Sequence, residues 1–273
     1  GERPSKGWLS PRQNERRGKL LESGKSETRS KLEDQHEPEQ IQDRVASEEH
    51  DYLGDAVLGA VDGGVTTFGI VAGAVGGGFG TGVVVVLGFA KLFADGFSMA
   101  VSNYLRARSV ADRIEDARQT ERHHIEHIPE GERREVREIF AQKGFEGAVL
   151  DEIVDTITED HDQWVDIMLS EELGLPTRAP SPFRAGGSTF LAFLLIGLIP
   201  LSPFLIPGLS LDQAFLISGI VTAIGFLGVG LVKGVVLNQP VLRSGLETLV
   251  TGAGAAGLAY VVSSWMRGRY GVG

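Results

Sequence analysis

Two groups of residues in this chain have types and spacings that could do chemistry. The first lies inside apolar runs. Asp55 and Asp62 stand seven residues apart in DAVLGAVDGGVTTFGIVAGAVG, so on a helix they share a face. Lys91, Asp95 and Met99 follow at steps of four in KLFADGFSMA, which puts all three on one stripe. A charged side chain near a bilayer centre costs about 2.5–3.5 kcal/mol on insertion scales, so such groups pair or mark an ion or proton route. Lys91 and Asp95 can neutralise each other with Met99 as packing, or Asp95 and Met99 can line a route. Asp62 has no partner in its own helix, and the GGVTTF after it supplies two glycines and two hydroxyls. Its reading is a pathway or proton-relay carboxylate.

The second group lies in a densely charged segment. Glu121 and His124 are spaced i, i+3, as are Glu132, Glu135 and Glu138, and Met168 and Glu172 are spaced i, i+4. Carboxylates and imidazoles so spaced converge on one side of a helix, as di-metal carboxylate bundles require. Carboxylate with imidazole suits first-row divalent metals, and a thioether favours a softer ion over Mg²⁺ or Ca²⁺. A solvated acidic surface is the alternative, since charge patterning alone is weak.

These residues need elements to hold them. About twenty apolar residues cross a bilayer as a helix. Five stretches qualify: about Asp55 to Gly76, Gly82 to Leu105, Gly186 to Ile206, Gln213 to Val236 and Leu246 to Trp265. The first, second and fifth are rich in Gly and Ala, which let helix backbones approach closely in lipid. Between the second and third, three helical segments are expected. RSVADRIEDARQTERHHIEHI continues the second span. PEGERREVREIFAQKG has Pro at its start and Gly at its end. EGAVLDEIVDTITEDHDQWVDIMLSEELGLP carries an apolar stripe of Val149, Ile153, Ile157, Trp164 and Ile167.

The expected fold class is an all-α membrane protein, with five transmembrane helices per subunit and a three-helix insert between spans two and three. The organisation reads as a polar tail at 1–51, spans one and two at 52–105, the insert at 106–184, spans three to five at 185–266 and a short tail at 267–273. The 1–51 tail is too poor in apolar residues to fold alone, so disorder is expected there. Its basic start is followed by no apolar stretch within signal-peptide distance, so no cleaved signal is expected. Lys and Arg flank alternate links, placing the N-terminus and the insert in the cytosol; the C-terminal WMRGRY breaks that rule.

Composition excludes several classes. The chain has 273 residues, 26 Lys and Arg against 36 Asp and Glu, and net charge −10. That balance argues against nucleic acid as partner and suits cations. No cysteine is present, so disulfides and thiolate metal sites are excluded. Mean hydropathy of +0.02 averages two unlike materials, the charged segments and the apolar runs. No nucleophile elbow, catalytic Ser/His/Asp order or HExxH appears, so no enzyme is expected.

DGGVTTFGIVAG, then KLFADGFSMAVSNYLRARS, then an acidic insert ending DQWVDIMLSEELGL, then three more spans, resembles the vacuolar iron transporter family, which includes yeast, plant nodulin-like and bacterial members. The resemblance covers about residues 50–266. It implies homodimers of five-span subunits that move Fe²⁺, and often Mn²⁺ or similar ions such as Co²⁺ or Zn²⁺, out of the cytosol in exchange for protons. The path would lie at the dimer interface, and a cytosolic three-helix domain would collect the metal. No prosthetic group is implied; the ion is cargo. The resemblance places path residues at Asp55, Asp62 and Met99, and metal ligands at Glu121, His124, Glu132, Glu135, Met168 and Glu172. The membrane would be the plasma (inner) membrane in a prokaryote and the vacuolar membrane in a eukaryote.

Two positions depart from the plant-type pattern, which has Glu where Lys91 and His124 stand. Asp95 can take the acid's role from one turn away, or Lys91 can act as a tethered cation that leaves when metal or protons enter. At His124, imidazole still binds Fe²⁺ but competes with protons near neutral pH, so affinity is expected to fall as pH drops towards 6. The rival readings are a membrane-tethered iron sensor or buffer without transport, and an anion or lipid transporter using Lys91. The acidic insert is unexplained by the last.

Overall fold

A computed structural model of the chain describes residues 37–38, 52–237 and 239–271. Contacts divide the chain into Gly1–Glu49 and His50–Gly273. The tail expected at 1–51 lies outside the described residues except for Glu37 and Pro38. Regular structure among the described residues of the second unit is helical throughout: α1 (Tyr52–Gly76), α2 (Thr81–His127), α3 (Pro129–Gln142), α4 (Gly147–Glu159), α5 (His161–Ile167), a π-turn (Met168–Glu172), α6 (Pro182–Leu201) with a 3₁₀ turn (Ser202–Leu205), α7 (Leu211–Val236) and α8 (Val241–Tyr270).

Five of these are long and apolar enough to cross a membrane: α1, α2, α6 with its 3₁₀ turn, α7 and α8. They fall on the five expected spans, each extended by a few residues or more. Helices are the natural solution here, because lipid offers nothing to hydrogen-bond a bare backbone. Their ends follow local chemistry. Pro182 opens α6, where a missing N–H costs nothing. Ser210 and Gln213 form a reciprocal capping box that starts α7. Pro200 lies in the last turn of α6 and Pro203 in the 3₁₀ turn that follows, and the Pro200 carbonyl accepts from Ser218 Oγ on α7 at 2.7 Å.

α1 packs against α6, α8 and α7, and α6 packs in turn against α2. The α1–α6 crossing is close, with the small residues on the α1 side, the only one of the two spans expected to supply them. A Cβ on Gly59 would lie 2.3 Å from the Thr189 carbonyl oxygen, and one on Gly63 would lie 2.4 Å from that of Phe193. Only glycine permits that approach. The apolar core of the bundle includes Val71, Val84, Leu92, Phe193 and Leu201.

α2 is a single helix of 47 residues. At 1.5 Å per residue it is about 70 Å long, roughly twice what the hydrocarbon core needs. Its second half carries α3, α4 and α5 around a separate core of Ile125, Val136, Leu150, Val154, Ile157, Trp164, Val165, Met168 and Leu169. The sequence differs from this arrangement in one respect. A continuous third segment was expected, but Asp160 interrupts it with extended geometry, and its carboxylate accepts from the N–H groups of Asp162 and Gln163. The break uncouples the phase of α4 from that of α5. Leu150 and Val154 therefore face inward beside Ile157, and Val149 is exposed.

Candidate metal centre

The insert's site begins with a one-residue break. Ile128 leaves helical geometry, and its N–H bonds the His124 carbonyl at 2.7 Å. Pro129 then starts α3 at once, with Glu130 and Glu132 in the first turn, where the helix dipole favours acids. This tight corner folds Glu132 back over the last turns of α2, where Glu121 and His124 lie.

One ligand atom from each of Glu121, His124 and Glu132 lies within 4.8 Å of the others. His124 Nδ1 is 3.4 Å from Glu132 Oε1. Glu121 is 5% exposed and Glu132 is 2% exposed. Oε2 of each is buried and has no hydrogen-bond partner in the structure. Buried polar atoms are almost always paired, and a buried carboxylate left unpaired is expensive. A cation at this point would satisfy both oxygens.

The electrostatics agree. Burial raises the Glu132 carboxyl to about 7, helped by the charges of Glu135, Glu121 and Glu172 and opposed by His124. Burial also raises Glu121, with His124 pulling it down and Glu135 pushing it up. Glu172 is raised by desolvation, then by Glu121 and Glu135, with His124 again opposing. Glu135 and Glu172 thus act on the buried pair, although both are exposed and outside the tight group. Met168 is fully buried in the insert core, at the start of the π-turn that ends on Glu172. Glu138 instead accepts from Gln142 at 3.1 Å.

The group in the spans is arranged differently. Lys91 Nζ lies 2.6 Å from Asp95 Oδ2, and the two side chains are 47% and 28% exposed. They are paired, as the first of the two readings has it, but on an open face of α2 beside exposed Phe93 and Phe97. Asp62 is half-buried on α1, within electrostatic reach of both. Thr66, from the GGVTTF run, donates its hydroxyl to the Asp62 carbonyl at 2.8 Å. Met99 is partly buried against the bundle core.

Asp55 is buried and ion-paired, with Arg106 Nη2 at 3.0 Å. Arg106 also donates from Nε to Asn103 Oδ1, and Asn103 Nδ2 donates to Thr189 Oγ1 and the Ala185 carbonyl. This network ties α1, α2 and α6 together at one end of the bundle. Sequence reasoning counted Arg106 only as a flanking charge. The available signal was Asp55 itself: an acid in the first turn of one span needs a cation, and RARS ends the next at the same level.

The fold and the site define a multi-pass membrane protein with a helical, carboxylate-rich insert. The VIT family model matches residues 53–264. The chain is 34% identical to a vacuolar iron transporter of Toxoplasma gondii, over 80% of this chain and 75% of that protein. It is 32% identical to vacuolar iron transporter 1 of Tulipa gesneriana, over 78% of this chain and 86% of that one. Vacuolar iron transporter 1 of Arabidopsis thaliana matches at 32%, over 77% and 84%. The chain belongs to the VIT family.

Proposed function

We propose that this protein is a transporter, not an enzyme, and that it exports Fe²⁺, and Mn²⁺ or similar ions, from the cytosol in exchange for protons. The observation that carries the reading is the pair of buried, partnerless carboxylate oxygens of Glu121 and Glu132 beside His124. The relatives' names supply iron as the ion. The insert is cytosolic in this reading and collects the ion at the mouth of the path. Glu121, His124 and Glu132 hold it, Glu135 and Glu172 add charge or ligation, and Met168 biases the selection towards Fe²⁺ over Mg²⁺.

The ion then passes to Asp62 and Met99. Asp95 and Lys91 stand on an open face of α2 close to Asp62, which supports a path completed by a second copy in a homodimer. Asp62 alternates between metal-bound and protonated forms, coupling metal exit to proton entry. Lys91 frees Asp95 when metal or protons arrive. Asp55, held by Arg106, sits at the end of the path and fixes its geometry.

The test is Fe²⁺ flux in sealed proteoliposomes with and without a pH gradient. Gradient-dependent flux by the wild type, lost in Asp62→Asn, is the expected result. Metal bound with no flux in any gradient would instead favour the sensor or buffer, which the self-contained insert site could also serve.

A further inference from the structure

On α2, His123 and His127 stand i, i+4 and both are exposed. At about 100° per residue they point away from Glu121 and Ile125, while His127 lies about 60° round the helix from His124. Their ring centroids are 4.0 Å apart, with the planes tilted by 39°. His127 Nδ1 is 2.8 Å from the carbonyl oxygen of His123. A carbonyl can only accept, so in this contact Nδ1 is the donor, and Nε2 is the ring nitrogen left to a ligand. Metal-binding histidines are held in the same way, one ring N–H fixed on a carbonyl and the other nitrogen left for the ion. Both rings lie near the C-terminal end of α2, His127 in its last turn, where the helix dipole favours positive charge.

We propose that His123 and His127 form a second metal site, which takes a borderline divalent cation such as Zn²⁺, Ni²⁺, Co²⁺ or Cu²⁺ through two imidazole nitrogens, with water completing the shell. Hard ions such as Mg²⁺ and Ca²⁺ prefer oxygen and are not expected there. The two neighbouring groups on α2 would thus differ in ligand class, mainly carboxylate in one and imidazole alone in the other. The inference goes beyond the transport reading and does not depend on it, because it is tested by binding alone.

The experiment uses the full-length protein in detergent. Zn²⁺ is titrated by calorimetry and Cu²⁺ by electron paramagnetic resonance, with Mg²⁺ as a control. His123→Gln and His127→Gln are each compared with wild type and with His124→Gln. Both substituted rings are exposed, so the variants should melt like the wild type. The expected result is a class of Zn²⁺ sites weakened at least tenfold by either His123→Gln or His127→Gln, and retained in His124→Gln. The Cu²⁺ signal should lose a nitrogen coupling in the same two variants. Unchanged Zn²⁺ isotherms in both would overturn the proposal. So would a loss shared equally by His124→Gln, since that would assign the rings to the carboxylate site.

Discussion

In the insert, Glu121 and Glu132 are sealed inside one chain, and each keeps an oxygen with no partner. In the bundle, Asp55 and Asp95 each have a cation beside them, and Asp62 is only half-buried. The insert buries its carboxylates without a full set of partners. The bundle ion-pairs Asp55 and Asp95, the latter on an open face. A site built to capture should look like the first, and a route that must release its cargo should look like the second. Tight, incompletely paired burial gives affinity, while pre-paired charges let an ion pass without a deep well.

The most severe way to break this contrast is Asp62→Asn. Proton-driven Fe²⁺ flux in proteoliposomes should fall to the level of empty vesicles, while calorimetric metal binding at the insert stays unchanged. Persisting flux would remove Asp62 from the coupling step. The mirror experiment is Glu132→Gln, which should weaken metal binding by about 10–100-fold, on the scale of losses at metal sites. Its flux at saturating metal should stay within a few-fold of wild type.

A third prediction uses pH. Glu132 has its carboxyl raised from 4.5 to about 7. A raised acid contributes stability that is fully present below the unfolded value and is lost as pH rises through the folded one. The metal-free insert should therefore lose on the order of 2–3 kcal/mol between pH 4.5 and 7, and Glu132→Gln should flatten that slope. Trp164, buried in the insert core, gives a fluorescence signal for it. Metal binding runs the other way, because the ion displaces a proton: affinity should rise with pH to about 7 and then level off. A slope of the same sign for both would contradict the assignment.

The smallest effect is expected at Arg106→Gln. It leaves Asp55 buried beside a neutral amide and should cost about 1–3 kcal/mol of bundle stability, with insert affinity untouched. An equal loss in both regions would mean that they are not separable.

Much of this was legible in the sequence, and what was not has a common cause. The five spans follow from apolar length, and the Gly-rich first span announced close packing, but α6 as its partner was not legible there. The Glu121–His124 pair follows from i, i+3 spacing on α2, whereas Glu132 beside them was implied only by the family resemblance. Periodicity works for the spans and for that pair because those features are local. The Asp55–Arg106 pair spans 51 positions, so no window contains it. The face of α4 was misread because Asp160 caps a new helix through its own carboxylate, and an aspartate in an acidic run gives little warning.

The uninterrupted α2 has a mechanical consequence. It carries Lys91 and Asp95 near one end and Glu121 and His124 near the other, with no break between them. Such a strut has no joint to absorb movement. A tilt of 5° about one end of a rod about 70 Å long carries the other end through about 6 Å. Any movement of the insert is thereby felt as leverage at the face where Lys91 holds Asp95.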